Sequence, residues 1–411
     1  MAATQDFLAG AARALGRCAR LRYLDLFVVL ADRLADRVPP AFWQYLAEAR
    51  ALRDLRLSVR SCAASPHDGP AAAGVPRLIA GLAGLTRLRT LALKLDNVCE
   101  DATLPACLSR LAGLTSLHLS GLRGLRCAPG WARLPALACL VFEECVFAAD
   151  GEEALPGMDA LGALTSLALW DCPSLRALPA SLWRLSRLRS LRHWSSGADA
   201  ARPPRREAPV SGLPAGGAPC LGAVRSFALS CHGLPAFPPC VLAMARLAHL
   251  DLAHCGFERL PGGVSALTAL EALRLGRRPG EAGQVGGSFD ARALGGLARF
   301  PHLRRLGFDN CSVLFCSGFP AAAAHARLER LELSASYPAP GPSRAAFLGF
   351  AVALLQRGRG GVLRVHRSAA QGAGRQDGQS FRAALQAAGF ALRDDDDDAD
   401  GLVADSDFIS E

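Results

Sequence analysis

The sequence predicts an α/β solenoid, a stack of short repeats that each supply one strand and one short helix or turn. Three observations carry that expectation. Leucines recur in the frame L-x-x-L-x-L, followed by x-x-Cys or x-x-Leu, at least eleven times; LTSLALWDCPSL (164–175), LAHLDLAHCGF (247–257) and LRRLGFDNCSV (303–313) are the clearest copies. Between copies the chain often reads L-P-x-x-L-x-x-L, as in LRALPASLWRL (175–185) and ERLPGGVSAL (258–267). The strand centres at Leu24, Leu55, Leu91, Leu117, Leu140, Leu167, Leu191, Phe227, Leu250, Leu273, Leu306 and Leu331 mostly lie 23 to 27 residues apart, a period that marks a repeat architecture.

Each part of the frame has a physical reason. Side chains alternate along a strand, so the leucines of L-x-L point inward and the x residues face out. The L-P-x-x-L-x-x-L segment returns the chain as a short helix or extended turn, its spacing of three to four keeping the leucines inside. One repeat buries about six apolar side chains worth roughly 2 kcal/mol each. Ordering its residues costs on the order of 1 kcal/mol apiece. A lone repeat therefore loses, and neighbours must stack into one continuous core.

Residues 1–17 read as an N-terminal helix or cap and residues 18–335 as an array of about 12 repeats, in keeping with that stacking requirement. No signal peptide is read ahead of the first strand, LRYLDL (21–26),. Long steps between strand centres place Gly/Pro/Ala-rich loop insertions at 60–78, 195–219 and 276–292,. Residues 336–391 depart from the frame: SRAAFLGFAVALLQRG (343–358) reads as an apolar helix, VLRVHR (362–367) as a strand and QSFRAALQAAGF (379–390) as a second helix. Together they predict an α/β cap on the last repeat. The like-charge block DDDDDAD (394–400) predicts a disordered acidic tail over 392–411,.

Composition narrows the function classes. The 411 residues carry a net charge of +9, but the arginines are scattered and Lys94 is the sole lysine. A phosphate-binding face needs clustered charge, so nucleic acid is disfavoured. The longest apolar stretch, AAFLGFAVALL (345–355), is too short to span a bilayer,, and no membrane insertion is expected. Of 14 cysteines, Cys145, Cys172, Cys255 and Cys311 share one place in the repeat, after the two residues that follow L-x-L. That place suits a small, weakly polar group that meets backbone groups of the turn. Reduced thiols and a cytoplasmic location are therefore expected, with cytoskeleton, axoneme or nucleus as alternatives.

Catalytic signatures are missing from the sequence. There is no G-x-x-x-x-G-K-[ST], G-x-S-x-G, H-E-x-x-H or C-x-x-C,. The glycine-rich GQVGGSF (283–289) lacks the strand-then-helix setting of a nucleotide site. No cofactor, metal or catalytic residue is assigned. The strand frame instead yields a surface: His118, Ser120, Glu143, Glu144, Trp170, Asp171, Arg192 and Trp194 are outward candidates near the middle of the array. Aromatics beside charges suit an interface, because they bury much area and keep polar contacts. Further along, His249, Asp251, His254, Arg274, Arg277, Arg305 and Arg330 make a more basic stretch, so a charge gradient runs from Glu143 towards Arg305.

The frame LxxLxxLxLxxC…LPxxLxxLxxL over residues 18–335 resembles that of intracellular leucine-rich-repeat proteins, the plant-type and Ras-suppressor-like arrays in particular. That resemblance implies a horseshoe solenoid with a parallel β-sheet on its concave side, short helices or turns on the convex side, and a protein partner held on the concave face. The expectation that follows is a monomeric, non-catalytic binding scaffold. Its site would comprise His118, Glu143, Glu144, Trp170, Asp171, Arg192, Trp194, His249, Asp251, Arg274 and Arg305. An adaptor or regulatory subunit of a ubiquitin ligase, signalling or axonemal complex is the alternative, with an enzyme or enzyme activator more remote.

Overall fold

The computed structural model describes residues 20–30, 44–61, 82–96, 102–194, 210–214, 220–277, 288–290, 300–314, 328–334, 337–338 and 362–365, apart from a few positions inside these ranges, and adds isolated positions outside them. Most of 1–17 and 336–391, and the whole tail 392–411, lie outside the described residues. The chain divides into two units. The first comprises Met1–Leu191 with Ser211–Leu213 and Ala218–Cys220; the second comprises Arg192–Val210, Pro214–Gly217 and Leu221–Glu411.

In the first unit the strands are β1 (Tyr23–Leu30), β2 (Asp54–Ser61), β3 (Thr90–Asp96), β4 (Thr103–Leu104), β5 (Ser116–Ser120), β6 (Arg126–Cys127), β7 (Cys139–Glu143) and β8 (Ser166–Trp170). A parallel sheet runs β1-β2-β3-β5-β7-β8. Its register aligns Leu24, Leu55, Leu91, Leu117, Leu140 and Leu167, each directly opposite the next. These are the strand centres that the leucine frame predicts. A shifted register would carry a whole row of leucines into solvent, so one alignment wins. The next strand, β9 (Ser190–Trp194), straddles the division after Leu191.

The second unit carries β10 (Ser226–Ser230), β11 (His249–Cys255), β12 (Ala272–Arg277), β13 (Ser288–Asp290), β14 (Arg305–Asp309), β15 (Ser312–Leu314), β16 (Arg330–Ser334), β17 (Tyr337–Pro338) and β18 (Val362–Val365). Here Phe227, Leu250, Leu273, Leu306, Leu331 and Leu363 fall opposite one another in a parallel ladder. The last of them lies beyond the repeats read from the sequence. The strand expected in the cap thus joins the same ladder as β18.

Each unit repeats three local devices. First, one carbonyl ahead of each strand accepts two backbone N–H groups from the next repeat: Arg53 and Asp54 donate to Arg22, Arg89 and Thr90 to Arg53, and Glu271 and Ala272 to Ala248. Second, L-P-x-x-L folds as a 3-10 helix, as in Ala180–Arg184, Pro239–Ala243 and Gly262–Ala266. Leu182 donates its N–H to Pro179, Leu185 to Leu182 and Leu188 to Leu185. A spacing of three matches the i→i+3 bond, which eclipses every third side chain and puts all three leucines inside.

Third, a left-handed residue at or near the strand's end precedes the buried cysteine or leucine of the turn. Gly121 has φ 75°, Glu144 52°, Asp171 53° and His254 55° at this one place in the repeat. The turn delivers the thiols to the carbonyls of the previous repeat: Cys145 Sγ lies 3.4 Å from Leu119 O, Cys172 Sγ 3.7 Å from Phe142 O and Cys255 Sγ 3.0 Å from Leu229 O. This is the turn-bonding role expected for these cysteines. Burial pushes the Cys145 and Cys127 thiols up to about 12.

Away from the main ladders, the returning segments form smaller parallel sheets, β4-β6 and β13-β15-β17. Ser288–Asp290 therefore forms a strand inside a stretch read as loop insertion, and Ser211, inside another, bridges Ala177. Aromatic rings fill the space between the two faces. In the second unit Phe237, Phe257, Phe289 and Phe308 form a chain with centroids 5.8, 5.8 and 6.4 Å apart. The architecture is a leucine-rich-repeat solenoid of parallel strands and short helices.

Candidate protein-binding face

The registers turn the x residues of the first unit into two rows on the outward sheet face. Arg56, Ala92, His118, Val141 and Ala168 form one; Ser58, Lys94, Ser120, Glu143 and Trp170 form the next. Where the rows meet, His118 Nε2 lies 2.9 Å from Glu143 Oε2, both side chains about one-third exposed. The His118 hydrogen bond holds the Glu143 carboxyl below the usual carboxylate range, against the opposing effect of burial, with further help from Lys94 and Ser120. An ion pair this exposed adds little stability. It fixes two polar side chains beside the small residues Ala92, Val141 and Ala168 of the same face.

Trp170 stands directly opposite Glu143 and is half-buried. Its neighbours Ala168 and Val141 are too small to cover an indole. The result is a shelf with one aromatic face, one carboxylate, one imidazole and one ammonium group. Such a shelf can bind a polypeptide by burying the ring while the charges choose its orientation. Lys94 was absent from the candidates read from sequence. The repeat frame itself places it in the row of Ser120 and Glu143.

Two candidates stand elsewhere than expected. Glu144 and Asp171 were read as outward strand positions, yet they lie one residue beyond β7 and β8, in the left-handed turn. Glu144 donates its N–H to Trp170 O at 2.8 Å. They flank the shelf at the strand ends rather than standing on it. Ser120, also read as an outward surface residue, is buried. The candidates Arg192 and Trp194 are half-buried and fall in the second unit.

In the second unit the outward row reads Ala228, Asp251, Arg274, Gly307 and Glu332. Asp251 was read as a surface residue and is instead only 8% exposed. Its Oδ1 accepts hydrogen bonds from Ser230 Oγ and Ala253 N, both at 2.9 Å. Those bonds replace the water it loses, which is why a carboxylate tolerates the site. Arg274, opposite the bare Gly307, donates through Nε and Nη2 to the two carboxylate oxygens of Asp309, at 2.7 and 3.0 Å. Asp309 is almost fully buried and was not read from sequence. Space for it comes from Gly276, where an added Cβ would collide with the Asp309 carbonyl.

His249 and Arg305 are half-buried at the start of this face. Burial lowers the His249 pKa below its ordinary 6.5; Arg192 and Arg305 act with burial and Glu271 against it. Among the described residues no group of three or more His, Cys, Asp or Glu side chains could hold a metal ion, and no helix is long and apolar enough to cross a membrane.

No family model matches the chain, and no curated protein matches it by sequence. Similar solved structures are leucine-rich-repeat proteins. An internalin (inlF) from Listeria monocytogenes is 16% identical, with 87% of this chain and 94% of that one covered and a TM-score of 0.45. A leucine-rich-repeat protein of Leptospira interrogans is 16% identical, with 82% and 96% covered and a TM-score of 0.31. The leucine-rich-repeat ectodomain of the Arabidopsis receptor kinase HAESA, solved with a peptide hormone, is 18% identical, with 81% and 49% covered and a TM-score of 0.39.

Proposed function

We propose that this chain is a non-catalytic scaffold that holds a protein partner on the outward face of its parallel sheet. The observation that carries the reading is the shelf of the first unit, where Trp170 stands opposite Glu143 of the His118–Glu143 pair, in the row that also holds Lys94. A half-buried indole on a rigid ladder loses little freedom on binding, so most of its apolar area counts towards affinity. The buried thiols Cys127, Cys145 and Cys172, held as hydrogen-bonding or packing groups, support a reducing, cytoplasmic setting, and the proposed working form is a monomer.

The test compares proximity labelling in the source cell for the wild type and for Trp170→Ala and Glu143→Arg. Far-UV circular dichroism should be unchanged in both variants. Partners lost from both, with affinity for a purified partner reduced about tenfold or more, would support the scaffold and place its site. An unchanged partner list would overturn the site, and loss of fold would mean that these side chains serve the core.

A further inference from the structure

A second feature of the first unit lies off the sheet face, where the chain enters its first three strands. Arg22, Arg53, Asp54 and Arg89, with Ala51, line an open cavity of about 480 Å³. The three arginines hold one equivalent place in successive repeats. Each precedes its strand, and each offers the carbonyl that accepts the paired N–H groups of the next repeat. The ladder therefore stacks them at the inter-strand spacing of about 4.8 Å. The same place in the next repeat is Thr115, which ends the column.

Like charges directly opposite on neighbouring strands destabilise a sheet, and a single carboxylate, Asp54, faces these three guanidinium groups in the cavity. Backbone carbonyls hold one corner of the middle one. Arg53 Nη1 donates to the carbonyls of Arg50, Leu52 and Arg87 at 3.3 to 3.4 Å, and Arg87 Nη1 donates to Arg50 O at 3.1 Å. A guanidinium tied to backbone at one corner is held ready for an anion at its other edge, and planar forks of this kind match tetrahedral oxyanions in bidentate fashion.

We propose that this cavity is a binding site for a small phosphate-bearing ligand, held by Arg22, Arg53 and Arg89. The site is separate from the shelf around Trp170, so either can fail without the other. Two or more phosphoryl oxygens would replace the repulsion along the column with charge-assisted hydrogen bonds. Asp54 limits the affinity by opposing the anion.

Isothermal titration of the full chain with inorganic diphosphate at low ionic strength tests the site. The expected result is saturable binding at one site per chain. Arg53→Met and Arg22→Gln should each weaken it about tenfold, and Asp54→Asn should tighten it several-fold, an outcome that a purely structural role would not give. Arg22→Gln keeps the test valid if Arg53→Met fails to fold, because the Arg22 side chain is exposed. Non-saturable heats, equal affinity in Arg22→Gln and the wild type, or equal weakening by the distant exposed Arg126→Gln would each overturn the site. Citrate binding as tightly as diphosphate would overturn the phosphate assignment.

Discussion

A thiol at the turn of each repeat combines a small apolar body with a weak donor, and that combination explains the recurrence of cysteine. Cys145, Cys172 and Cys255 each reach a carbonyl one repeat back and a second carbonyl two residues back in their own turn. The periodic spacing made this role legible in the sequence. The left-handed residue just before the cysteine was only partly legible: Asp171 and His254 are of types enriched at positive φ, whereas Glu144 is not,. Only the φ values moved Glu144 and Asp171 from the strand to its end. His249 carries a prediction at this scale. Its folded-state pKa lies below 6.5, so its contribution to stability is complete above that value. As pH falls, the unfolded chain takes the proton first and stability drops towards the folded-state pKa. Urea midpoints measured between about pH 7 and 5 should fall less steeply in His249→Gln than in the wild type; equal slopes would sink the assignment.

At the scale of an element, the ladder decides which charges are surface and which are structure. Along L-x-L-x the two x positions look outward in sequence, yet Asp251 and Asp309 are buried while His118 and Glu143 stay about one-third exposed. The difference comes from cross-strand partners. Asp251 finds the Ser230 hydroxyl, and Asp309 finds a guanidinium that reaches it past a glycine. Breaking a buried pair from one side leaves an uncompensated charge and costs about 3 to 5 kcal/mol. Asp309→Ala should therefore lower the unfolding free energy of the protein by about 3 kcal/mol in chemical denaturation. A loss below about 1 kcal/mol would show that the pair behaves as a solvent-exposed one.

Across the whole molecule the defining property is that no repeat closes its own core. Leu167 is fully buried, and its strand takes the carbonyl of Ala138 in the repeat before it and offers the carbonyl of Thr165 to the repeat after it. A charge there has no partner on either side. Leu167→Asp should abolish the ellipticity of several repeats in one cooperative step, because stability in such arrays lies in the interfaces between neighbours. Loss of a single repeat's signal, with the remainder of the melt unchanged, would contradict that coupling. The same logic explains β18: wherever an apolar strand of suitable length follows, the last ladder edge accepts it.

The sequence by itself determined the solenoid, the strand centres and the inward rows, since a leucine period leaves one register that hides every leucine. The 3-10 geometry of L-P-x-x-L was also within reach, as a spacing of three is its signature. The tertiary structure decided the rest: which outward residues meet, that His118 takes Glu143, that Asp309 takes Arg274, and that Arg22, Arg53 and Arg89 line one cavity. Those outcomes depend on side chains separated by 25 to 36 residues from one strand to the next, brought close by parallel pairing. Periodicity fixes the row a residue occupies, but contact across strands fixes its surroundings, and only surroundings set burial and charge.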